Sequence, residues 1–463
     1  MAEYDYDLLV IGAGPGGYVG AIRASQLGIK VAIVEKDKPG GVCLNVGCIP
    51  SKALIHQAEV FHGIAALEAM GVSVDVAGLD YSAVYRKSRA AADKLSRGVQ
   101  SLIKKNKIDY IGGAAVISGS NQVTIDGTRQ VTARFLLVAC GSRPTEIPGY
   151  EFDEQTVLSS TGVLMLQELP KTLLILGGGY IGMEFAHVMS TFGSTVTVVE
   201  MLDQILPNSD AEAVEVLVRD FSRRGITMRT ATRATGLKKS ASGIELSVET
   251  ANGSRETLTA DKILVSVGRT PNTGGLGLER AGIIPERGFI PVGDYYQTST
   301  ETIYAVGDCI ASPALAHVAS KEAEIAVEHM AGGNPQKRLA DDLVPAAVYT
   351  EPQLAGFGPT EAQLKEKRVA YRKAVFPYRG AGKSVAIEQP EGLVKLLFDP
   401  DTRQILAAHI AGSTATELIH ELLLASKAEL LPEDVATMVH AHPTLSEAVM
   451  ESARVAEGWP IHF

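Results

Sequence analysis

Apolar residues in this chain gather into short unbroken runs, and the runs come in pairs. Asp7-Leu8-Leu9-Val10-Ile11 and Lys30 to Val34 bracket a mixed stretch, Tyr18 to Leu27, that stops at Gly28. Leu173-Leu174-Ile175-Leu176 and Thr195 to Val199 bracket a second such stretch, which stops at Gly193. Four or five aliphatic residues bounded by glycine predict strands buried on both faces, as in a parallel sheet. The roughly ten residues between them are the length of a crossover helix. The pattern therefore predicts two βαβ units within an α/β chain.

Glycine spacing at the strand ends sharpens this. Gly12-Ala13-Gly14-Pro15-Gly16-Gly17 fits G-x-G-x-x-G at Gly12, Gly14 and Gly17. The pattern returns 165 positions later at Gly177, Gly179 and Gly182. In such a turn the first glycine allows the tight bend, and the second lets backbone approach a pyrophosphate. The third lets helix and strand pack closely. The second strands stop at Glu35 and Glu200, each 18 residues after the third glycine, where a carboxylate accepts from ribose hydroxyls. One such motif is weak; two copies in register predict two dinucleotide sites.

Composition sets limits. The chain has 463 residues, so two to four domains are expected. With 46% hydrophobic and 21% charged residues it has globular composition. A net charge of −10 without a basic run makes nucleic acid an unsuitable partner. No apolar run approaches the roughly 20 residues that span a bilayer. The acidic start, Met1 to Asp7, has neither secretory nor transit-peptide character. A cytoplasmic location is expected.

Two of the four cysteines, Cys43 and Cys48, lie close after the first glycine turn in Gly40-Gly41-Val42-Cys43-Leu44-Asn45-Val46-Gly47-Cys48-Ile49-Pro50-Ser51-Lys52. Pro50 belongs in a first helical turn, so a helix should begin near Cys48. A thiol there is tuned toward thiolate by the helix dipole. Residues five apart do not share a helix face, and Gly47 permits the bend that would bring the sulfurs together. Spacing alone leaves a redox pair, a structural disulfide and two inert thiols all open.

The segment GGVCLNVGCIPSK resembles the active-site segment of the FAD-dependent pyridine nucleotide–disulfide oxidoreductases, in particular their dihydrolipoamide-oxidising branch. Similarity to that family extends along nearly the whole chain. It implies FAD at the first glycine turn and NAD at the second, with Glu200 selecting NAD over NADP. It also implies that Cys43 exchanges with a lipoyl disulfide while Cys48 is the thiolate facing the flavin. Lys36 and Ala115 are implied as further FAD contacts, and Lys52 and Glu184 as an ion pair near the flavin. Gly268 and Arg269 resemble the end of the family's NAD region, and Asp308 and Ala316 its second FAD segment.

His442-Pro443-Thr444-Leu445-Ser446-Glu447 carries two readings. Thr444 and Glu447 have the spacing of a capping box. The string also resembles the family's catalytic histidine–glutamate pair, with His442 as acid–base and Glu447 orienting it. In the family that histidine comes from the second subunit, so a homodimer is implied. Lipoylated E2 or glycine-cleavage H-type proteins are the implied partners. Cys140 and Cys309 have no partner signature and are expected to be buried and inert. Related reductases fit less well. Glutathione reductase favours basic residues where Glu200 stands, mercuric reductase adds a C-terminal cysteine pair, and soluble transhydrogenase lacks the dithiol. A redox-silent docking subunit would not require Cys43, Cys48, Lys52, His442 and Glu447 together.

The expected fold is α/β: two Rossmann-like dinucleotide-binding domains, a central domain and a C-terminal α+β dimerisation domain. The landmarks predict FAD binding over 1–145, NAD binding over 146–272, the central domain over 273–343 and dimerisation over 344–463.

Overall fold

The computed structural model describes residues 4–240 and 243–462. Met1, Ala2 and Glu3 of the acidic start lie outside the described residues. The first unit runs β1 (Tyr6–Ile11), α1 (Pro15–Gln26), β2 (Val31–Glu35). β1 pairs in parallel with β2 on one side and with strand Arg129–Val138 on the other. Strand Ile303–Ala305 joins that sheet beyond Arg129–Val138, so a late segment completes the early sheet. Helix α1 begins at Pro15, three residues before the periodicity suggests. Proline needs no N–H at the first helical position, so the glycine turn passes straight into helix.

The dithiol segment follows. It forms a short helix α2 (Gly41–Val46), which carries Cys43, and then α3 (Cys48–His62), whose first residue is Cys48. The expected helix start near Cys48 is present; the helix holding Cys43 is not evident from the sequence. Gly47 joins the two. An added Cβ there would lie 2.8 Å from the Val42 carbonyl oxygen, so the turn admits no side chain.

The second unit repeats the first: β3 (Thr172–Leu176), α4 (Tyr180–Thr191), β4 (Thr195–Val199). β3 lies in parallel between β4 and strand Lys262–Val265. Helix α5 (Ala316–Met330) returns to pack on the first unit, burying Ala323, Ala326 and Val327 in its core.

The C-terminal region is a five-stranded antiparallel sheet, Ala346–Val348 to Ile405–Gly412. Helices Ala415–Lys427 and α6 (Ser446–Glu457) share its apolar core. Lys395 of this sheet is 1% exposed; it pins the sheet to the second unit through Asp210 at 2.9 Å and also meets Glu361 of its own region at 2.7 Å. Burial of this charge is tolerated because its ammonium is surrounded by carboxylates. Among the described residues, no helix is long and apolar enough to cross a membrane.

Candidate active site

The two glycine turns have the same geometry. Gly12 and Gly177 take left-handed φ values of 101° and 106°, and a Cβ at either would strike a carbonyl oxygen, of Ala139 at 2.4 Å and Ser266 at 2.6 Å. A Cβ at Gly17 would lie 1.8 Å from the Gly12 oxygen, and one at Gly182 would lie 2.1 Å from the Gly177 oxygen. These four positions admit only glycine. Gly14 and Gly179 differ: a Cβ there meets nothing within 4 Å. Both line a large cavity, so the space before each helix N-terminus is open to an anionic group at contact range. Glu35 Oε2 accepts from the Ala13 N–H at 2.7 Å and Oε1 from Asp37 N–H at 2.8 Å. Glu200 does the same toward Gly178 (2.7 Å) and Leu202 (2.8 Å). Each carboxylate is thus locked at the mouth of its turn, with lone pairs left for hydroxyl donors. The glycine cradles and fixed acids fit two dinucleotides.

One cavity of about 1460 Å³ connects the two glycine turns and the dithiol. It is lined by Gly12, Gly14, Glu35, Lys36, Cys43, Cys48, Lys52 and Ala115, and by Gly177, Gly179, Glu184, Glu200, Gly268, Arg269, Asp308 and Ala316. Gly17 and Gly182 sit beneath the turns. His442 and Glu447 do not line it.

The dithiol stands in that cavity as two free thiols. They are hydrogen-bonded to one another, and this divides their acidity. The Cys43 thiol donates to Cys48, which lowers Cys48 to about 7 against the opposing effect of burial; the Lys52 charge lowers it further. The same bond, with burial, raises Cys43 well above an ordinary thiol. Of the two, Cys48 holds the negative charge. Lys52, one turn further along α3, donates to both oxygens of Glu184 on α4 at 2.8 Å. This contact links the first unit to the second.

Asp308 is held by neighbours that sequence reading overlooked. Ser142 Oγ donates to Asp308 Oδ2 at 2.5 Å, and Arg269 Nε donates to Ser142 Oγ at 2.7 Å and lies 3.4 Å from Asp308 Oδ2. Gly307 just before it has φ +74° and donates its N–H to Glu322 at 2.7 Å. Glu322 is 1% exposed, and burial raises its carboxyl to about 7. One signal for it exists in the sequence, a single acid on the small apolar face of Val318, Ala319, Ala323 and Ala326. Tyr349 is the other residue missed; its N–H donates to Glu184 at 3.2 Å.

The expectation for the remaining cysteines needs correction. Cys309 is buried as expected, but it does have a partner, because it hydrogen-bonds Cys140. Cys140 itself is only half-buried and faces the cavity. Adjacent parallel strands end at Val138 and Ala305, a few residues before these two positions, a proximity invisible in linear order.

His442 lies on the surface, with a side chain 76% exposed, and its Nδ1 is 2.9 Å from Glu447 Oε1. The capping box is half formed. Glu447 Oε2 accepts from the Thr444 N–H at 2.9 Å, but Thr444 Oγ1 donates to the Ala441 carbonyl instead of capping, and α6 begins only at Ser446. Despite the cost of desolvation, these two contacts hold the Glu447 carboxyl below its ordinary range. One carboxylate thus ties the helix start and orients the imidazole.

Residues 6–323 match the pyridine nucleotide-disulphide oxidoreductase family, and residues 344–453 match the dimerisation domain of the same family. The chain is 42% identical to a mitochondrial dihydrolipoyl dehydrogenase of Arabidopsis thaliana, over 99% of this chain and 92% of that one. It is 41% identical to a dihydrolipoyl dehydrogenase of Bacillus subtilis, over 98% and 97%. A leghemoglobin reductase of Vigna unguiculata is 41% identical over 96% and 87%. Among solved structures, LpdA of Mycobacterium tuberculosis superposes with a TM-score of 0.89 at 27% identity, covering 96% of this chain and 99% of that one.

Proposed function

We propose, from the premise that this chain belongs to the pyridine nucleotide–disulphide oxidoreductases, that it acts as a dihydrolipoyl dehydrogenase: it oxidises dihydrolipoamide to lipoamide and reduces NAD to NADH. The observation that carries this is the polarised dithiol, with Cys43 as hydrogen-bond donor and Cys48 as thiolate, set in a cavity that reaches both glycine turns. FAD and NAD are the cofactors. Gly12, Gly14, Gly17, Glu35, Lys36, Ala115, Asp308 and Ala316 would hold FAD; Gly177, Gly179, Gly182, Glu200, Gly268 and Arg269 would hold NAD. Bound FAD supplies the two-electron carrier between the dithiol and the nicotinamide.

In the oxidised state Cys43 and Cys48 form a disulfide. A dihydrolipoamide thiolate attacks the Cys43 sulfur, and Cys48 leaves as the thiolate that the Lys52 charge favours. The second substrate thiolate then displaces Cys43 and closes the cyclic lipoamide disulfide. Two electrons now reside in the Cys43–Cys48 dithiol. His442 of the second subunit takes the substrate proton, with Glu447 fixing its ring. His442 is exposed and does not line its own chain's cavity, as a group acting in trans would not.

Lipoylated E2 or glycine-cleavage H-type proteins would present the lipoyl group, and a reducing cytoplasm would suit a dithiol that cycles. The test is NADH formation from dihydrolipoamide by the flavin-loaded protein. Cys43→Ser and His442→Ala homodimers should each be inactive, and their refolded mixture should regain part of the activity. Absence of recovery would count against the shared site, and NADH formation by Cys43→Ser alone would remove the dithiol mechanism.

A further inference from the structure

Three parts of the chain meet at the Lys52 ammonium. Lys52 comes from α3, Glu184 from α4, and Tyr349 from the loop after strand Ala346–Val348 of the C-terminal sheet. Glu184 holds the ammonium from one side with both oxygens at 2.8 Å. The Tyr349 ring covers it from another, with Nζ 4.5 Å from the ring centroid. The same residue's N–H donates to Glu184 Oε1 at 3.2 Å. Tyr349 therefore touches both members of the ion pair. Its hydroxyl makes no hydrogen bond to any described residue, so the ring face is its contribution.

Lysine is a flexible point charge that salt-bridges in many rotamers. A carboxylate alone allows the ammonium to swing around it. An aromatic face supplies a second attractive surface and excludes water from that side. Four residues along a helix bring Cys48 and Lys52 onto one face, so where the ammonium settles decides how strongly it acts on the sulfur.

We propose that Tyr349 is a positioning residue of the redox centre: its ring fixes the Lys52 ammonium beside Cys48, and so couples the seating of the C-terminal sheet to the reactivity of the dithiol. Tyr349 touches neither sulfur and acts through Lys52. The groups facing Cys48 are Cys43, Lys52, Glu184 and Tyr349; Glu417 approaches Tyr349 from helix Ala415–Lys427. The inference rests on the dithiol reading above, but not on which dithiol is the substrate.

The test uses the flavin-loaded Cys43→Ser protein, in which Cys48 is left as the single thiolate. Its long-wavelength absorbance against oxidised flavin is titrated with pH. Adding Tyr349→Leu should raise the Cys48 midpoint by on the order of one pH unit, the scale of one desolvated cation–ring contact. Tyr349→Phe keeps the ring and should leave the midpoint within about 0.3 unit. With Lys52→Met in place, Tyr349→Leu should shift nothing further. An unchanged or lowered midpoint for leucine overturns the proposal. So does a phenylalanine shift as large as leucine's, or a leucine shift that survives loss of Lys52. Tyr349→Met provides the same comparisons if leucine impairs folding. Lack of dihydrolipoamide turnover by the parent protein, with both cysteines intact, alongside the expected shifts would count against the substrate alone.

Discussion

The two glycine turns share their backbone angles and their close contacts, yet the helices that follow them are built for different neighbours. Residues of α1 and α4 correspond at an offset of 165. Where α1 has Gly16, Val19 and Gly20, α4 has Ile181, Glu184 and Phe185. The glycines of α1 let α5 approach: a Cβ at Gly16 would lie 3.2 Å from the Ala319 oxygen, and one at Gly20 3.2 Å from Ala323 Cβ and 2.9 Å from Leu137. α4 is met by large side chains instead: α3 packs on it, with Leu54, Ile55 and Ala58 in one core with Met183 and Phe185. It turns Glu184 toward Lys52. The shared turn supplies dinucleotide chemistry, and the helix behind it decides the use. The first site is clamped by a returning helix, as suits a cofactor that stays. The second shares a core with the dithiol helix α3 and meets it again through the Lys52–Glu184 pair, so its helix is tied to the redox centre rather than to a returning helix.

Adding one methyl group to each turn has the largest expected effect. Gly17→Ala and Gly182→Ala place a Cβ about equally far inside a carbonyl oxygen, so each should collapse its own turn. The first should yield protein without flavin. The second should retain flavin and lose affinity for NAD by at least about tenfold, one lost contact of roughly 1.4 kcal/mol. Flavin content and NAD titration separate the two. Equal flavin loss in both would show that the sites are not independent.

Next is the acid at the mouth of each turn. Glu200→Arg should lower the ratio of kcat/KM for NAD over NADP by about 100-fold, since a repulsive charge becomes an attractive one for a 2′-phosphate. Glu35→Ala should weaken flavin retention and leave that ratio alone. Steady-state kinetics with both nucleotides decides it, and a Glu200 variant with parental preference would refute the assignment.

A third change converts α4 toward α1. Glu184→Val installs the residue found at the matching position, Val19, and leaves the Lys52 ammonium without its carboxylate. Lys52 is one-third exposed, so the cost should be about 2 kcal/mol rather than the larger penalty of a sealed pair. Chemical denaturation of the flavin-loaded protein measures it. A loss below about 0.5 kcal/mol would mean the pair is held by solvent as well as by protein.

The turns and the dithiol segment were readable because their signals are local. Glycine spacing, strand-length apolar runs and a proline placed for a helix start all act within about 30 residues. What stayed hidden depends on chain parts far apart. Lys52 and Glu184 are separated by 132 positions, and Tyr349 and Glu184 by 165. Resemblance supplied the first pair, but no periodicity marks Tyr349, whose role comes from the loop on which it stands. The helix over Gly41–Val46 was hidden for another reason: it is short, opens at a left-handed glycine and has no side-chain cap to announce it. At Thr444 and Glu447 the local signal was half right, because the threonine hydroxyl found a nearer carbonyl.

The smallest effect concerns the clamp on the first turn. Glu322 lies on α5, and its carboxylate accepts from Gly307 N–H, the peptide that sets Asp308. Burial lifts this carboxyl to about 7 from 4.5. A carboxyl whose folded value is raised favours the folded state while neutral. Its contribution is fully present below about pH 4.5 and is lost as pH rises through 7. At pH 8 the group is a buried anion that costs stability. Glu322→Gln cannot ionise, and its side-chain oxygen can still accept from Gly307. The avoided cost is at most about 3 kcal/mol, and the weaker hydrogen bond that an amide oxygen accepts offsets roughly two-thirds of it, so the net gain should be about 1 kcal/mol. The melting temperature of the flavin-loaded variant should exceed the parent's at pH 8, and the two should converge as pH falls toward 4.5. A variant less stable than the parent at pH 8 would show that the ionised Glu322, not the neutral acid, is what the clamp on Gly307 requires.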